Sequence, residues 1–159
     1  MVATDDFQIL KAEQEDLEEI LYIQKCCYLS EAAIYNDYTI PPLKQNLSDI
    51  EADFRNQSIL KLVLNNKIVG SVRGYVKEDT CYVGKLIVNK EYQNMGFGAK
   101  LIREIENMFA GVSRFELFTG FKSDKNLYLY KKLGYREFKN EELNDFTLTY
   151  LEKNVGSNR

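Results

Sequence analysis

Three β-competent runs lie almost end to end between Ser58 and Val88, and this stretch constrains the fold more than any other. "SILKLVL" and "KIVGSVRGYV" flank Asn65-Asn66, a pair that tolerates the positive φ angles of a tight hairpin. A second turn at Glu78-Asp79 leads into "TCYVGKLIV". Connections this short join antiparallel neighbours, so the three runs predict a meander.

The flanking segments add helices and further strands. "FQILKA" (Phe7 to Ala12) is short and β-competent, and the acidic "EQEDLEEI" after it opens a helical pattern through Leu17, Ile20, Leu21, Gln24 and Tyr28. Pro42 starts a second expected helix, with Leu43, Leu47, Ile50 and Phe54 on one face. After the meander the pattern predicts a helix to about Phe109, the strand "RFELFTG", and a helix from about Asp124 to Leu133. A closing strand "DFTLTYL" alternates strictly at Phe146, Leu148 and Tyr150. The order is β-α-α-β-β-β-α-β-α-β, a mixed α/β sheet with helices on its faces. A chain of 159 residues fits one domain, with a core over about 7–153 and a frayed tail over 154–159.

Composition narrows the chemistry. The chain has no histidine, which excludes Ser-His-Asp triads, Cys-His pairs and His-ligated metal sites, and no metal is expected. Cys26, Cys27 and Cys81 read as small hydrophobes rather than a disulfide framework. A formal net charge of -3 gives no global reason to expect nucleic acid or an anionic membrane as partner. The acidic N-terminus "MVATDDFQIL" and the short apolar runs fit neither a secretory signal nor a spanning helix, so the cytoplasm is the expected location.

Two of nine glycines stand one residue apart in "QNMGFGAK", Gln93 to Lys100, between a strand and a helix that carries Gly98, Leu101, Ile102, Ile105 and Phe109 at core spacing. Unpaired N–H groups and the positive end of a helix dipole point outward at such a junction, and glycines admit a phosphate without a Cβ in the way. The phosphate-loop pattern G-x-x-x-x-G-K-[ST] is absent, and G-x-G-x-x-G fails because Leu101 occupies the third glycine position. The alternative is a tight turn with close helix packing and no ligand.

The block "KLIVNKEYQNMGFGAKLI" resembles the acetyl-CoA-binding motif of the GNAT N-acetyltransferase superfamily, with Q/R-x-x-G-x-G/A read at Gln93-Asn94-Met95-Gly96-Phe97-Gly98. "SDKNLYLYKKLGYRE" resembles its second signature, in which a helix ends in L-Y-x-K-x-G-F/Y. The element order matches as well. The resemblance implies a mainly antiparallel twisted sheet of about seven strands, in which "YVGKLIV" and "RFELFT" splay apart around the pantetheine arm of acetyl-CoA. It implies that the pantetheine amides pair with the backbone of Leu86 and Val88. The pyrophosphate would sit on the N–H groups of Gln93, Asn94, Met95, Gly96, Phe97, Gly98 and Ala99, and an oxyanion donor would be a backbone N–H near Ile87 or Val88. A dimer is common among similar proteins.

Transfer of an acetyl group to an amine requires a neutral nitrogen, stabilisation of an oxyanion and a proton for the departing thiolate. The family's usual acid falls on Tyr130, a phenol protonated at neutral pH; the alternative is an aromatic core residue. Ser123, Asn126 and Tyr130 share a helix face, with Asn126 the candidate for a pantetheine or acid-positioning contact and Ser123 expected to cap the helix. The family's strand glutamate is replaced by Gly84-Lys85, so no base is assigned among Glu31, Asp37, Glu78 and Asp79. The acceptor, a small-molecule or peptide amine, is expected between the first helices, where Tyr28, Tyr35 and Tyr38 join Glu31 and Asp37 in an aromatic and acidic pocket. The reading is a direct, ternary-complex N-acetyltransferase. The alternative is a catalytically silent acyl-CoA-binding module of the same fold.

Overall fold

A computed structural model describes residues 6–143 and 146–156. Seven strands form one sheet: β1 (Phe7–Lys11), β2 (Ser58–Leu64), β3 (Lys67–Lys77), β4 (Thr80–Val88), β5 (Arg114–Gly120), β6 (Arg136–Glu142) and β7 (Thr147–Asn154). Their spatial order is β1-β2-β3-β4-β5-β7-β6. Every neighbouring pair is antiparallel except β4 and β5. The meander turns as its sequence predicts. Asn65 and Asn66 have φ of 53° and 63°, and Glu78 and Asp79 have 50° and 64°.

Among the described residues five α-helices flank the sheet. Helices α1 (Leu17–Tyr35), α2 (Pro41–Lys44) and α3 (Leu47–Asn56) follow β1, while α4 (Phe97–Met108) and α5 (Asp124–Lys132) follow β4 and β5. Leu17, Ile20 and Ile23 of α1 pack with Ile50, Ile59, Ile68 and Ile87 on one face. On the other, Leu101, Ile102 and Ile105 of α4 pack with Leu62, Val72, Phe115 and Leu151. Successive strand residues therefore supply opposite cores.

Three expectations are corrected. The helix predicted from Pro42 onward is two helices, because Asn46 starts a new one. The Asn46 side chain accepts from Asp49 N at 2.9 Å and Asp49 Oδ2 accepts from Asn46 N at 2.9 Å, a reciprocal cap that interrupts the turn before it. Of the expected face, Ile50 is fully buried and Leu47 is exposed. The six-strand order lacks β6, whose seven residues "REFKNEE" are all exposed and carry no apolar alternation. The core-facing residues of β7 are Thr149 and Leu151, so Leu148 and Tyr150 look the other way. The tail starts later than expected, since Asn154 ends β7 and Val155 N donates to Ser113 O at 2.8 Å. Residues 157–159, and Asp145 of the expected last strand, lie outside the described residues.

A polar knot ties the first three helices to the sheet. Arg73 of β3, 1% exposed, donates from Nη1 to Asp53 Oδ2 at 2.8 Å and to Gln45 Oε1 at 3.1 Å, and from Nη2 to Gln24 Oε1. Gln24 in turn donates to Pro42 O at 3.0 Å and to Gln45 Oε1 at 2.8 Å. Removing the cation leaves the buried Gln24 Oε1 without its donor and the partly buried Asp53 carboxylate without its counter-charge. Arg73→Met is expected to lower unfolding stability by about 3 kcal/mol or more, measured by urea denaturation; a loss below about 1 kcal/mol would contradict a stabilising knot.

Candidate active site

The parallel pair opens into a gap. β4 and β5 are in register only at Thr80↔Arg114, Cys81↔Phe115 and Tyr82↔Glu116, although both strands continue beyond. From Val83 and Leu117 onward the edges diverge. A register shift against β3 falls here, and Lys85 takes φ of 50°, the geometry of an extra residue bulged out of the ladder. Asn89 N donates to Val69 O at 2.7 Å, so strand alternation turns the amide of Ile87 toward β3 and those of Leu86 and Val88 into the gap. Of the two expected oxyanion donors, only Val88 faces the opening.

The loop after β4 is pinned to that edge. Val88 O accepts from Gln93 Nε2 at 2.9 Å and from Cys27 Sγ at 3.2 Å. Burial pushes the Cys27 thiol up to about 11, so it serves as a donor rather than a nucleophile. Asn89 starts a short 3-10 turn over Lys90–Tyr92, and Asn94 has φ of 65°. Gly96 then precedes α4 with φ of 84°. The first intrahelical bond runs from Lys100 N to Gly96 O, which leaves the N–H groups of Phe97, Gly98 and Ala99 without helical acceptors.

The two glycines have different reasons. Gly96 is required by its positive φ, and a Cβ built there meets nothing within 4 Å, so the position faces open space. Gly98 sits in close packing, since a Cβ there would stand 3.3 Å from a Leu129 methyl, which would have to give by a few tenths of an ångström, and in ordinary contact with Leu86 at 3.8 Å. The Phe97 side chain is core, edge-on to Phe7 at 5.7 Å, which leaves only its amide for a ligand. Met95 is exposed, and Lys125 Nζ reaches Gln93 Oε1 at 3.0 Å, adding a cation beside the free amides. Free N–H groups, a helix dipole and open space together fit a diphosphate.

A cleft of about 510 Å³ runs along the gap. Leu86, Tyr28, Glu31, Tyr35, Asn126 and Tyr130 all line it, which brings together residues far apart in the chain. Tyr38 is exposed and outside this lining, Asp37 bonds Thr39 and lines an adjoining hollow that shares Ile40, Pro41, Leu143 and Phe146 with the cleft, and Glu78 and Asp79 form the distant hairpin turn. Tyr130 is 6% exposed, and its hydroxyl has no hydrogen-bond partner among the described residues. Burial first, then Tyr28 and Glu31, raises its pKa well above the ordinary phenol value. The proton is therefore held throughout the neutral range.

Glu31 organises the far wall. Its carboxylate accepts from Ser123 Oγ at 2.6 Å and from Asn126 Nδ2 at 3.4 Å, and Asn126 also reaches Thr119 Oγ1 at 3.2 Å. The expectation that Ser123 caps α5 is thus corrected. Ser123 holds the cap position but makes no side-chain cap bond: its hydroxyl is turned to donate to Glu31, and its Oγ accepts from no helix N–H. Tyr35 Oη accepts from Lys122 N at 2.9 Å, and a Cβ at Gly120 would collide with that phenol. Gly120→Ala is expected to displace Tyr35 and cost about 1–3 kcal/mol by overpacking; an unchanged unfolding midpoint would contradict the contact.

Sequence reasoning gave no site role to the opposite wall, formed by Tyr75, Tyr82, Phe118, Leu148 and Tyr150, nor to Glu116, and read Lys85 only as a departure from the family's glutamate. The available signal was the alternation at Phe146, Leu148 and Tyr150, which belongs to the cleft face. Tyr75 stacks on Tyr82 at 5.3 Å, and Phe118 meets Tyr150 at 5.3 Å.

A sequence model of the Acetyltransferase (GNAT) family matches residues 17–135. No curated protein matches the chain by sequence. Among solved structures, the ribosomal-protein-S18-alanine N-acetyltransferase of Escherichia coli superposes with a TM-score of 0.79 at 16% identity, over 96% of this chain and 98% of that one. An N-acetyltransferase of Staphylococcus aureus Mu50 gives 0.77 at 16% identity, over 95% and 99%. The PaiA N-acetyltransferase of Thermoplasma acidophilum, crystallised in complex with coenzyme A, gives 0.70 at 19% identity, over 94% and 99%. These likenesses bear on the fold, which is the mixed, mainly antiparallel seven-strand sheet of those proteins. No described helix is long and apolar enough to cross a membrane, and no described cluster of His, Cys, Asp and Glu could hold a metal ion.

Proposed function

Because the chain belongs to the GNAT acetyltransferase family and is an acyltransferase, we propose that it transfers an acetyl group directly from acetyl-CoA to a primary amine. The observation that carries this reading is the divergence of β4 from β5 beside an uncapped helix N-terminus, with one buried phenol between them. Acetyl-CoA, when bound, supplies an acyl group activated as a thioester.

The residues divide the remaining work. The amides of Asn94 to Ala99 hold the diphosphate, the Gln93 N–H being already donated to Lys90 O at 3.4 Å, that of Leu86 holds the pantetheine arm, and Asn126 offers its Oδ1 as a further acceptor. The Val88 N–H, turned into the gap, is the donor available to a developing oxyanion. Tyr130 keeps a proton on Oη until a thiolate needs it. Glu31, already oriented by Ser123 and Asn126, receives a hydrogen bond from the acceptor nitrogen, with Tyr28 and Tyr35 flanking it. Leu117 and Val83 keep the walls apolar and limit water at the reacting centre.

The test is thiol release from acetyl-CoA across a broad panel of amines. Release that depends on an added amine, with none in its absence, is expected. Coenzyme A binding with no release above background would favour a silent binding module, the reading motivated by Gly84-Lys85 at the usual glutamate position.

A further inference from the structure

Among the described residues, two charged side chains lining the cleft, Glu31 and Lys85, lack an opposite charge. Glu116 lines it too but is paired with Arg114 Nη1 at 2.9 Å. Glu31 accepts only from neutral donors, Ser123 and Asn126, and has no cationic partner among the described residues. Lys85 makes no hydrogen bond or ion pair among the described residues, although it is half-buried. Asp53, whose carboxylate acts on Lys85 through space, already bonds Arg73 at 2.8 Å. A half-buried ammonium with no counter-charge is costly, and the cost is relieved by an incoming anion. Burial, and then Arg73 beside it, lowers the Lys85 pKa, with Asp53 acting only in part against them.

The backbone supports a purpose for that side chain. Lys85 is a non-glycine residue at φ of 50°, held there by the bulge that also starts the splay of β4 from β5. Bulges of this kind re-aim a side chain beside a site, and strain of this kind persists where the surroundings fix it. The third wall is apolar and partly open: Tyr75 is 40% and Phe118 51% exposed. Among the described residues the cleft therefore presents an anion and a cation without charge partners, and an aromatic face.

On the reading that this is an acetyltransferase, we propose that the acceptor is a small zwitterion with an apolar body, an amino acid whose nitrogen is held at Glu31 and whose carboxylate is held by Lys85. The body lies against Tyr75, Tyr82, Phe118 and Tyr150. An amine without an acidic group leaves Lys85 unpaired, and a peptide N-terminus, whose first carboxyl is an amide, does the same.

The test compares matched pairs that differ only by the carboxylate: L-phenylalanine against phenethylamine, and ε-aminocaproate against pentylamine. Binding to the whole protein is read by saturation-transfer NMR titration, with and without coenzyme A, so the result does not depend on turnover. In at least one pair the carboxylate-bearing member is expected to bind about tenfold or more tightly, the range of a charge-assisted contact. Lys85→Met is expected to remove that preference while leaving coenzyme A affinity unchanged. Equal or weaker binding of the carboxylate-bearing member in both pairs, no binding by any of the four, or an unchanged preference in Lys85→Met overturns the proposal. The comparison in wild-type protein decides it even if the variant misfolds. Coenzyme A titrated into the same samples reports separately on the acetyltransferase reading.

Discussion

Gly96→Asp is expected to weaken coenzyme A binding by at least about 100-fold, roughly 2.7 kcal/mol, as like charges brought together at a binding site cost several kcal/mol. The residue precedes α4 with φ of 84°, and a Cβ there meets no protein atom within 4 Å. Aspartate is among the few residues that tolerate the left-handed region, so the fold should survive the change. What changes is the field. A carboxylate would stand in front of the unpaired amides of Phe97, Gly98 and Ala99 and satisfy them from within the chain. Gly96→Asn, isosteric and uncharged, should lose much less. Calorimetry of both variants separates charge from shape, and equal losses would argue against a phosphate at this turn.

Tyr130→Phe is expected to lower turnover by about 100-fold or more, within the range of general-acid contributions, with little change in coenzyme A affinity or in stability. The hydroxyl has no partner among the described residues, so its removal strands nothing. The ring itself stays in the core, 6.2 Å from Tyr135. Since burial raises the phenol's pKa, the protonated form extends to more alkaline pH than an ordinary tyrosine allows. Activity of the wild type should therefore not fall through ionisation of Tyr130 near pH ~10, where a free phenol titrates. Equal rates for wild type and variant across the pH range would reject the assignment.

The parts of this site that were legible in the sequence are those set by local rules. Asn65-Asn66 and Glu78-Asp79 announce their turns because few residue pairs accept consecutive positive φ angles. Gly96 and Gly98 announce the loop, and Tyr130 sits in a signature with fixed helical spacing. The illegible parts depend on long-range pairing. β6 has no buried residue to betray it, since it gains its place by hydrogen bonding to β7 at the sheet edge. Ser123 looks like a helix cap until α1 brings Glu31 within 2.6 Å of it. Phe118 and Tyr150 look like ordinary strand residues because periodicity reports alternation but not which face is covered. Lys85 shows in the sequence only as a departure at the usual glutamate position, and its bulged, positive-φ setting needs the register shift against β3.

The central claim is that main-chain amides at the start of α4 grip the diphosphate of coenzyme A. Isothermal titration of coenzyme A into the protein, run side by side with Gly96→Asp, tests it most directly. The account predicts saturable heat at one ligand per chain for the wild type and loss of that heat in the variant. No heat in the wild type, or the same affinity in both proteins, would contradict it.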